Sequence, residues 1–217
     1  MNQKIIFPFI IYVIATAYLV PLQAQVAFGI GGKKAEEIKF QKDENGKIVF
    51  YEVVTTDTVP RDTLWKNAMI WTKSILNEKT DKITFENQLY GTIEAETGFM
   101  LYIPSLISKM PHGRLTYKVT LDIKDRKYRY TFSDFVFQYY KQDRRDFTYK
   151  PVKGSLRPLE KQKYPGYQSA WNHHKVTVKE HIEGQIATLK AEMVKMNKER
   201  PDSQTDSDKP VKRTKDW

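Results

Sequence analysis

The sequence has no cysteine among its 217 residues. This absence excludes disulfide bonds, zinc sites with thiolate ligands, iron–sulfur clusters and cysteine nucleophiles. It also excludes a membrane anchor made by acylation of a cysteine. Non-covalent packing and hydrogen bonding must therefore hold any fold together.

The short motifs of common hydrolases are also missing, since G-x-S-x-G, H-E-x-x-H and S-x-x-K do not occur. Glu94 and Glu96 share one face of a predicted strand, but no base can be named as their partner. Asp143 and Asp146 flank two arginines, whose charges favour ionised carboxylates over a general acid. We predict no catalytic residue and no cofactor, and an uncharacterised enzyme remains an alternative.

Histidine is scarce, with four residues in the chain. Three of them, His173, His174 and His181, fall on one predicted helix, but their spacing does not match the i, i+3 or i, i+4 pairs that hold a metal. We expect these three at the helix surface or in solvent, and His112 alone in a loop. We therefore predict no metal site.

Aromatic side chains are well represented, at 13% of residues, and hydrophobic residues make up 40%. A chain that is disordered throughout would be poor in aromatic residues. The composition and the length instead indicate one domain of ordinary size with additional segments at its ends.

The N-terminus has the layout of a secretory signal peptide. Lys4 precedes an apolar run at residues 5–20, and Pro21 and Ala24 follow in the positions of a cleavage region. The run of 16 residues is shorter than the roughly 20 needed to span a bilayer. We predict cleavage after about residue 24 and a periplasmic or secreted protein that does not span a membrane. An uncleaved anchor is the alternative.

The remaining patterns predict an α+β fold. A β-rich run begins at Lys47, and a helix with an apolar stripe follows Pro60. Several segments of two-residue period come next, and a second stripe of helical period runs beyond Tyr167. The expected order is β-α-β-β-β-β-α, an antiparallel sheet with the helices on one face. The predicted parts are a signal peptide (1–24), a flexible lead-in (25–45), the α+β domain (46–140), a basic loop (141–165), a C-terminal helix (166–198) and a disordered tail (199–217).

The clearest local feature is a β-hairpin. Alternating residues from Leu115 to Ile123 are apolar, and the alternation resumes at Tyr128 after a short polar loop. This pattern pairs Ile123 with Tyr128 and places Asp122 opposite Arg129. The alternation slips by one residue at Ser133-Asp134, which predicts a β-bulge.

Three segments carry a family resemblance: the helix TLWKNAMIWTKSIL (63–76), the strand pair around LYGTIEA (89–95) and the hairpin LTYKVTLDIKDRKYRYTFSDF (115–135). With them, residues 47–140 resemble a bacterial secreted family of unknown function that is described as having a TBP-like fold. The resemblance implies a fold and a compartment but no site residues. TBP itself binds DNA through its sheet, but a protein exported from the cell meets little DNA, and we expect no nucleic-acid partner.

The net charge of +10 is concentrated in one stretch, because residues 109–163 hold 15 Lys and Arg against six Asp and Glu. Seven aromatic residues lie between Tyr128 and Tyr140. Cations beside aromatic rings suit phosphate or carboxylate groups on polymers and lipid headgroups. The candidate anion-binding residues are Arg126, Lys127, Arg129, Lys141, Arg144, Arg145, Lys150, Lys153 and Arg157.

A simpler interpretation of the same stretch is structural. Strand spacing accounts for most of the rings as core residues, and the charges then form a solvated rim. The functional prediction is an exported, non-enzymatic binding module whose partner is an envelope protein or an anionic envelope polymer. The alternative is a module that binds anionic envelope polymers or lipid headgroups through residues 126–157.

Overall fold

The computed structural model describes residues 38–104, 109–164 and 166–196. The predicted signal peptide, most of the predicted lead-in and the predicted tail lie outside the described residues. None of the helices in the described part of the chain is long and apolar enough to cross a membrane.

The described residues form an antiparallel sheet and two helices, which confirms the predicted α+β class. The sheet order is β1-β5-β4-β3-β2, and β6 also pairs with β5. The first half of the long strand β5 pairs with β1 and the second half with β6. The elements are β1 (Phe50–Thr55), α1 (Arg61–Ile75), β2 (Lys82–Asn87), β3 (Thr92–Pro104), β4 (Lys109–Lys124), β5 (Lys127–Gln142), β6 (Tyr149–Pro158) and α2 (Gln168–Met193).

The strand β6 corrects the prediction of a basic loop at residues 141–165, and it adds one strand to the predicted order. None of the β6 side chains is fully buried, so the strand lacks the apolar alternation that marks a half-buried strand. It also contains Pro151, and proline is tolerated in a sheet only at an edge, where its missing N–H is not needed. Backbone pairing with β5, rather than side-chain burial, makes this segment a strand.

The core lies on one face of the sheet, where both helices pack, as predicted. Leu64, Ala68 and Trp71 of α1 are buried, and the Trp71 ring meets the Phe132 ring edge to face at 6.2 Å between centroids. On α2, Trp171 is buried and its ring lies 5.7 Å from that of Phe137. The tryptophans are core residues because the apolar stripe of each helix faces the sheet.

The hairpin of β4 and β5 has the predicted register, with Ile123 opposite Tyr128 and Asp122 opposite Arg129. Its turn is tighter than the predicted four-residue loop, because the pairing extends one residue further on each strand. The predicted bulge is confirmed: Asp134 has a φ of 54°, and the register shifts there by one residue.

The strand β3 runs through Gly98 without interruption. A Cβ atom on Gly98 would lie 2.2 Å from the carbonyl oxygen of Leu115, so glycine permits the close approach of β3 to β4. Gly91, in contrast, ends the preceding turn with a φ of 74°, as expected for glycine.

Candidate functional site

The nine candidate anion-binding residues do not form one patch, because they follow the long strand β5. Arg126 and Lys127 lie at the turn before β5, whereas Lys141 lies near its other end. At about 3.3 Å per residue, the two ends are separated by about 50 Å along the strand. The structure brings together only the members that surround the β5–β6 turn: Lys141, Arg144, Arg145, Lys150 and Lys153.

Two of the other candidates are engaged in structural contacts. Arg129 donates through Nε to Oδ2 of Asp122 at 2.9 Å, across the β4–β5 hairpin. Arg157 donates through Nη1 to the carbonyl oxygen of Lys163 at 2.8 Å, and its guanidinium lies 4.3 Å from the centre of the Tyr164 ring. Both arginines connect parts of the fold, and Asp122 neutralises the charge of Arg129.

The basic tip, defined as residues 141–153, is held in shape by its own side chains. Nζ of Lys150 lies 2.7 Å from a carboxylate oxygen of both Asp143 and Asp146. Hydrogen bonds to Lys150 are the main reason that the pKa of each of these carboxyl groups is lowered. The backbone N–H of Arg145 also donates to Asp143, at 2.9 Å. One lysine therefore neutralises much of the acidic charge of the turn and fixes its shape.

The rest of the basic tip carries positive charge and one exposed aromatic ring. Five basic and two acidic residues in this segment give a net charge of +3. Phe147 is 73% exposed and has a φ of 56°, so the turn holds an apolar ring outward. Within the described residues, four cations of the tip make no ion pair or side-chain hydrogen bond: Lys141, Arg144, Arg145 and Lys153. This arrangement suits an anionic partner that also offers an apolar or sugar surface.

A polar cleft of about 410 Å³ lies elsewhere on the sheet, with Asp81, Thr97 and Lys118 among its lining residues. The Asp81 side chain is almost wholly buried and forms an ion pair with Arg114. Burial acts to raise the pKa of Asp81, but hydrogen bonds from Asn77, Thr97 and Thr80 and the charge of Arg114 outweigh burial and lower it. A carboxylate held ionised in this way stabilises the structure and is poorly suited to proton transfer.

The sequence analysis missed a buried pair of histidines. Nδ1 of His112 on β4 lies 2.6 Å from Nε2 of His174 on α2. Both side chains are buried, so the expectation of His112 in a loop and His174 at the helix surface is wrong. Helical periodicity carried the missed signal, since His174 falls three residues after Trp171 and four before Val178, within the buried stripe. The other two differ from each other: His173 is exposed, and the ring of His181 stacks on Phe99 with centroids 3.8 Å apart.

The His112–His174 pair is electrically neutral in the fold. Burial lowers the pKa of His112, and burial with the nearby histidines lowers the pKa of His174 to about 3. One ring must donate to the other, while Nε2 of His112 and Nδ1 of His174 have no hydrogen-bond partner among the described residues. Five aromatic residues surround the histidine pair: Phe137, Tyr139, Tyr164, Tyr167 and Trp171. Across the described parts of the chain, no group of three or more His, Asp or Glu side chains could hold a metal ion.

Part of this chain matches a known family of domains. Residues 50–138 match DUF4468, a domain of unknown function with TBP-like fold. The resemblance stated from the sequence is therefore confirmed. The DUF4468 match begins with β1 and ends within β5, so the basic tip and α2 lie beyond it.

Two solved structures are similar to this chain. A TBP-like protein from Parabacteroides distasonis ATCC 8503 is similar, with a TM-score of 0.54 and 17% sequence identity over 70% of this chain and 95% of that chain. A DUF4468 family protein from Bacteroides ovatus ATCC 8483 has a TM-score of 0.48 and 15% identity over 72% of this chain and 92% of that chain. No curated protein matches the sequence. The likeness to the Parabacteroides distasonis protein shows the fold alone, and the molecular function has to be argued from the site.

Proposed function

We propose that the protein is an exported, non-enzymatic binding module that holds anionic polymers or lipid headgroups of the cell envelope through its basic tip. The proposal of export is based on the signal-peptide pattern at residues 1–24. The observation that carries the binding proposal is the set of four cations at the basic tip that have no ion pair within the described residues, in the same segment as the exposed ring of Phe147.

The chemistry of the basic tip favours phosphate and carboxylate groups. Arg144 and Arg145 present planar guanidinium groups, each of which can donate two parallel hydrogen bonds to such a group. Phe147 offers a ring for a sugar face or for the interfacial region of a lipid layer. Because these cations are exposed to solvent, their attraction for a polyanion weakens as salt concentration rises.

The outer face of the sheet is a less suitable anion site, although TBP uses its sheet to bind DNA. Two cations of this face are already paired, Lys118 with Glu94 at 3.1 Å and Arg129 with Asp122 at 2.5 Å. Paired charges release few counterions from a phosphate backbone, so they contribute little affinity. This arrangement supports the expectation that nucleic acid is not the partner.

The test compares two double variants that remove the same charge from opposite ends of β5. The R144S/R145S chain loses two free cations of the basic tip, and the R126S/K127S chain loses two cations at the β4–β5 turn. Each chain is passed over immobilised polyphosphate and mixed with phosphatidylglycerol vesicles, with phosphatidylcholine vesicles as the neutral control. At about 1 kcal/mol per cation at an anionic surface, R144S/R145S should weaken binding about thirtyfold.

Binding that is lost at high salt and reduced only in R144S/R145S supports the proposal. Equal weakening in both double variants would attribute retention to net charge alone and contradict a specific site. A protein partner retained at high salt by both variants would instead favour an apolar interface elsewhere on the chain.

A further inference from the structure

The two edges of the sheet differ in how far their strands are paired. On one side, both halves of β5 are paired, because β1 covers its beginning and β6 its end. On the other side, β2 pairs with β3 only as far as Glu96. Within the described residues, positions 98–103 of β3 therefore have a neighbouring strand, β4, on one side alone. We call residues 98–103 the open edge.

The backbone of the open edge presents unused hydrogen-bonding groups. The N–H of Ile123 donates to the carbonyl oxygen of Gly91 at 2.6 Å, and the register is constant as far as the pair Leu101 and Gly113. It then shifts by one residue, because β4 has the extra residue His112 there, whereas β3 continues to Tyr102 without an insertion. Bonded positions alternate in an antiparallel ladder, so odd-numbered residues of β3 bond to β4 and even-numbered residues face away. The N–H and C=O groups of Met100 and Tyr102 thus point away from β4, and no strand in the described part of the chain pairs with them on that side.

The open edge lacks the features that protect other edges from pairing. Natural edge strands are protected by charged side chains or proline. In this sheet, β2 carries Lys82 and Glu86, and β6 carries three basic residues and two prolines. The segment GFMLYI (98–103) has no charged residue and no proline. A row of outward backbone groups without charge protection is a template for another strand.

We propose that the open edge pairs with the same edge of a second copy of this chain, so that two sheets join into one across a two-fold axis. An uncharged segment meets its own copy without like-charge repulsion, which a charged edge would not. With the axis at Leu101, Met100 of one copy lies opposite Tyr102 of the other. The strand of the second copy then fills the row that β2 leaves empty beyond Glu96.

This register also accounts for exposed apolar side chains beside the open edge. The Tyr102 side chain is 42% exposed, although it follows the fully buried Leu101. Met100 and Tyr102 lie on the same face of β3, because side chains alternate along a strand. In the paired state these two side chains become cross-strand neighbours and shield each other from water.

The test measures self-association of the full chain by sedimentation velocity over a range of concentrations. Met100→Lys and Tyr102→Glu each place a charge on the open edge, and each should weaken dimerisation at least about tenfold. The M100K/Y102E double variant places Lys opposite Glu twice in the dimer, so it should restore association. Tyr51→Lys on β1 is the matched control, because Tyr51 is 46% exposed at the far side of the sheet and should leave the dimer intact.

Restored association in the double variant supports the proposal, and it also shows that the single variants fold. A parent chain that is monomeric at every concentration would overturn it. Single variants that dimerise as tightly as the parent would overturn it as well, since the dimer would then use another surface. A double variant that stays as weak as the single variants would overturn the pairing of Met100 with Tyr102. The proposal is independent of the basic tip, which lies at the β5–β6 turn, and β5 is two strands from β3 in the sheet.

Discussion

Two hairpins share the strand β5, and they differ in what surrounds them. In the β4–β5 hairpin, every second side chain is buried beneath the helices, with Tyr128, Tyr130 and Phe132 in the core. In the β5–β6 hairpin, no side chain of β6 is fully buried. The first hairpin stabilises the domain, whereas the β6 side chains of the second hairpin are largely exposed to solvent. A single strand can serve both purposes because its two halves meet different neighbours.

The two hairpins also differ in how their charged side chains are paired. On the outer face of the β4–β5 hairpin, Arg129 is paired with Asp122 on the neighbouring strand. In the β5–β6 hairpin, Lys150 pairs within the turn and leaves Arg144 and Arg145 without an acidic partner. Pairing across strands neutralises a surface, and pairing within a turn concentrates the remaining charge at the tip. The following predictions test this division between a stabilising and a presenting hairpin.

The largest effect is expected from truncation of the core of the first hairpin. Phe132 is fully buried and its ring packs against those of Trp71 and Tyr117. Phe132→Ala should lower the free energy of unfolding by about 3–5 kcal/mol, because it removes buried surface and leaves a cavity. The matched variant in the second hairpin is Leu156→Ala, at a side chain that is 65% exposed. It should change the free energy by less than about 0.5 kcal/mol. Urea denaturation measures both, and similar losses would contradict the division.

A smaller, pH-dependent effect is expected from His174, whose partner His112 contacts the second half of β5 at Phe137 and Tyr139. The pKa of His174 falls from 6.5 to about 3 on folding, mainly through burial. The unfolded chain therefore binds the proton first as pH falls. The free energy of unfolding is constant above about pH 6.5 and declines below it, by about 2 kcal/mol between about pH 7 and about pH 5.

Variants at neighbouring positions isolate this histidine. His174→Gln should make the decline in stability with falling pH less steep, even though the variant is less stable overall. His112 and His181 should supply the remaining slope, because burial lowers their pKa values as well. The exposed His173→Gln is the matched control and should leave the slope unchanged. Tyr139, Tyr164 and Tyr167 also face the pair, but tyrosine does not titrate in this range. A slope as steep in His174→Gln as in the parent chain would assign the acid sensitivity to other groups.

The smallest effect on stability is expected from Lys150→Met in the second hairpin, since all three charged groups of its ion pairs are near solvent. The pKa values of Asp143 and Asp146 should rise toward their ordinary range, because hydrogen bonds to Lys150 are what lower them. Carboxyl-carbon NMR titration measures this change. Unaltered pKa values in the variant would show that Lys150 does not organise the tip.

The parts of the fold that depend on local rules were predictable. The alternation around Leu121 and Tyr130 predicted the hairpin register, and the slip at Asp134 predicted the bulge, because side-chain period in a strand is two. The strand β6 was not predictable in this way. Its side chains are mostly exposed, and only the backbone of β5 beside it makes it a strand.

The candidate site also has a part that the sequence predicted and a part that it did not. The basic stretch was visible from charge counts, but the counts could not separate Arg126 from Arg144, which the length of β5 places at opposite ends. The histidine pair joins residues 62 positions apart in the sequence. The spacing of the histidines along α2 gave no indication that His112 would contact His174. A contact between a strand and a helix depends on how the two elements pack.

The sequence by itself determined the elements with strong periodicity, the class of the fold and the concentration of positive charge, because these follow from the order of neighbouring residues. Only the tertiary structure decided which cations remain unpaired at the basic tip, which histidines are buried together and which strand edge stays open. Each of these depends on contacts between residues far apart in the chain, and such contacts arise when helices and strands pack around a common core.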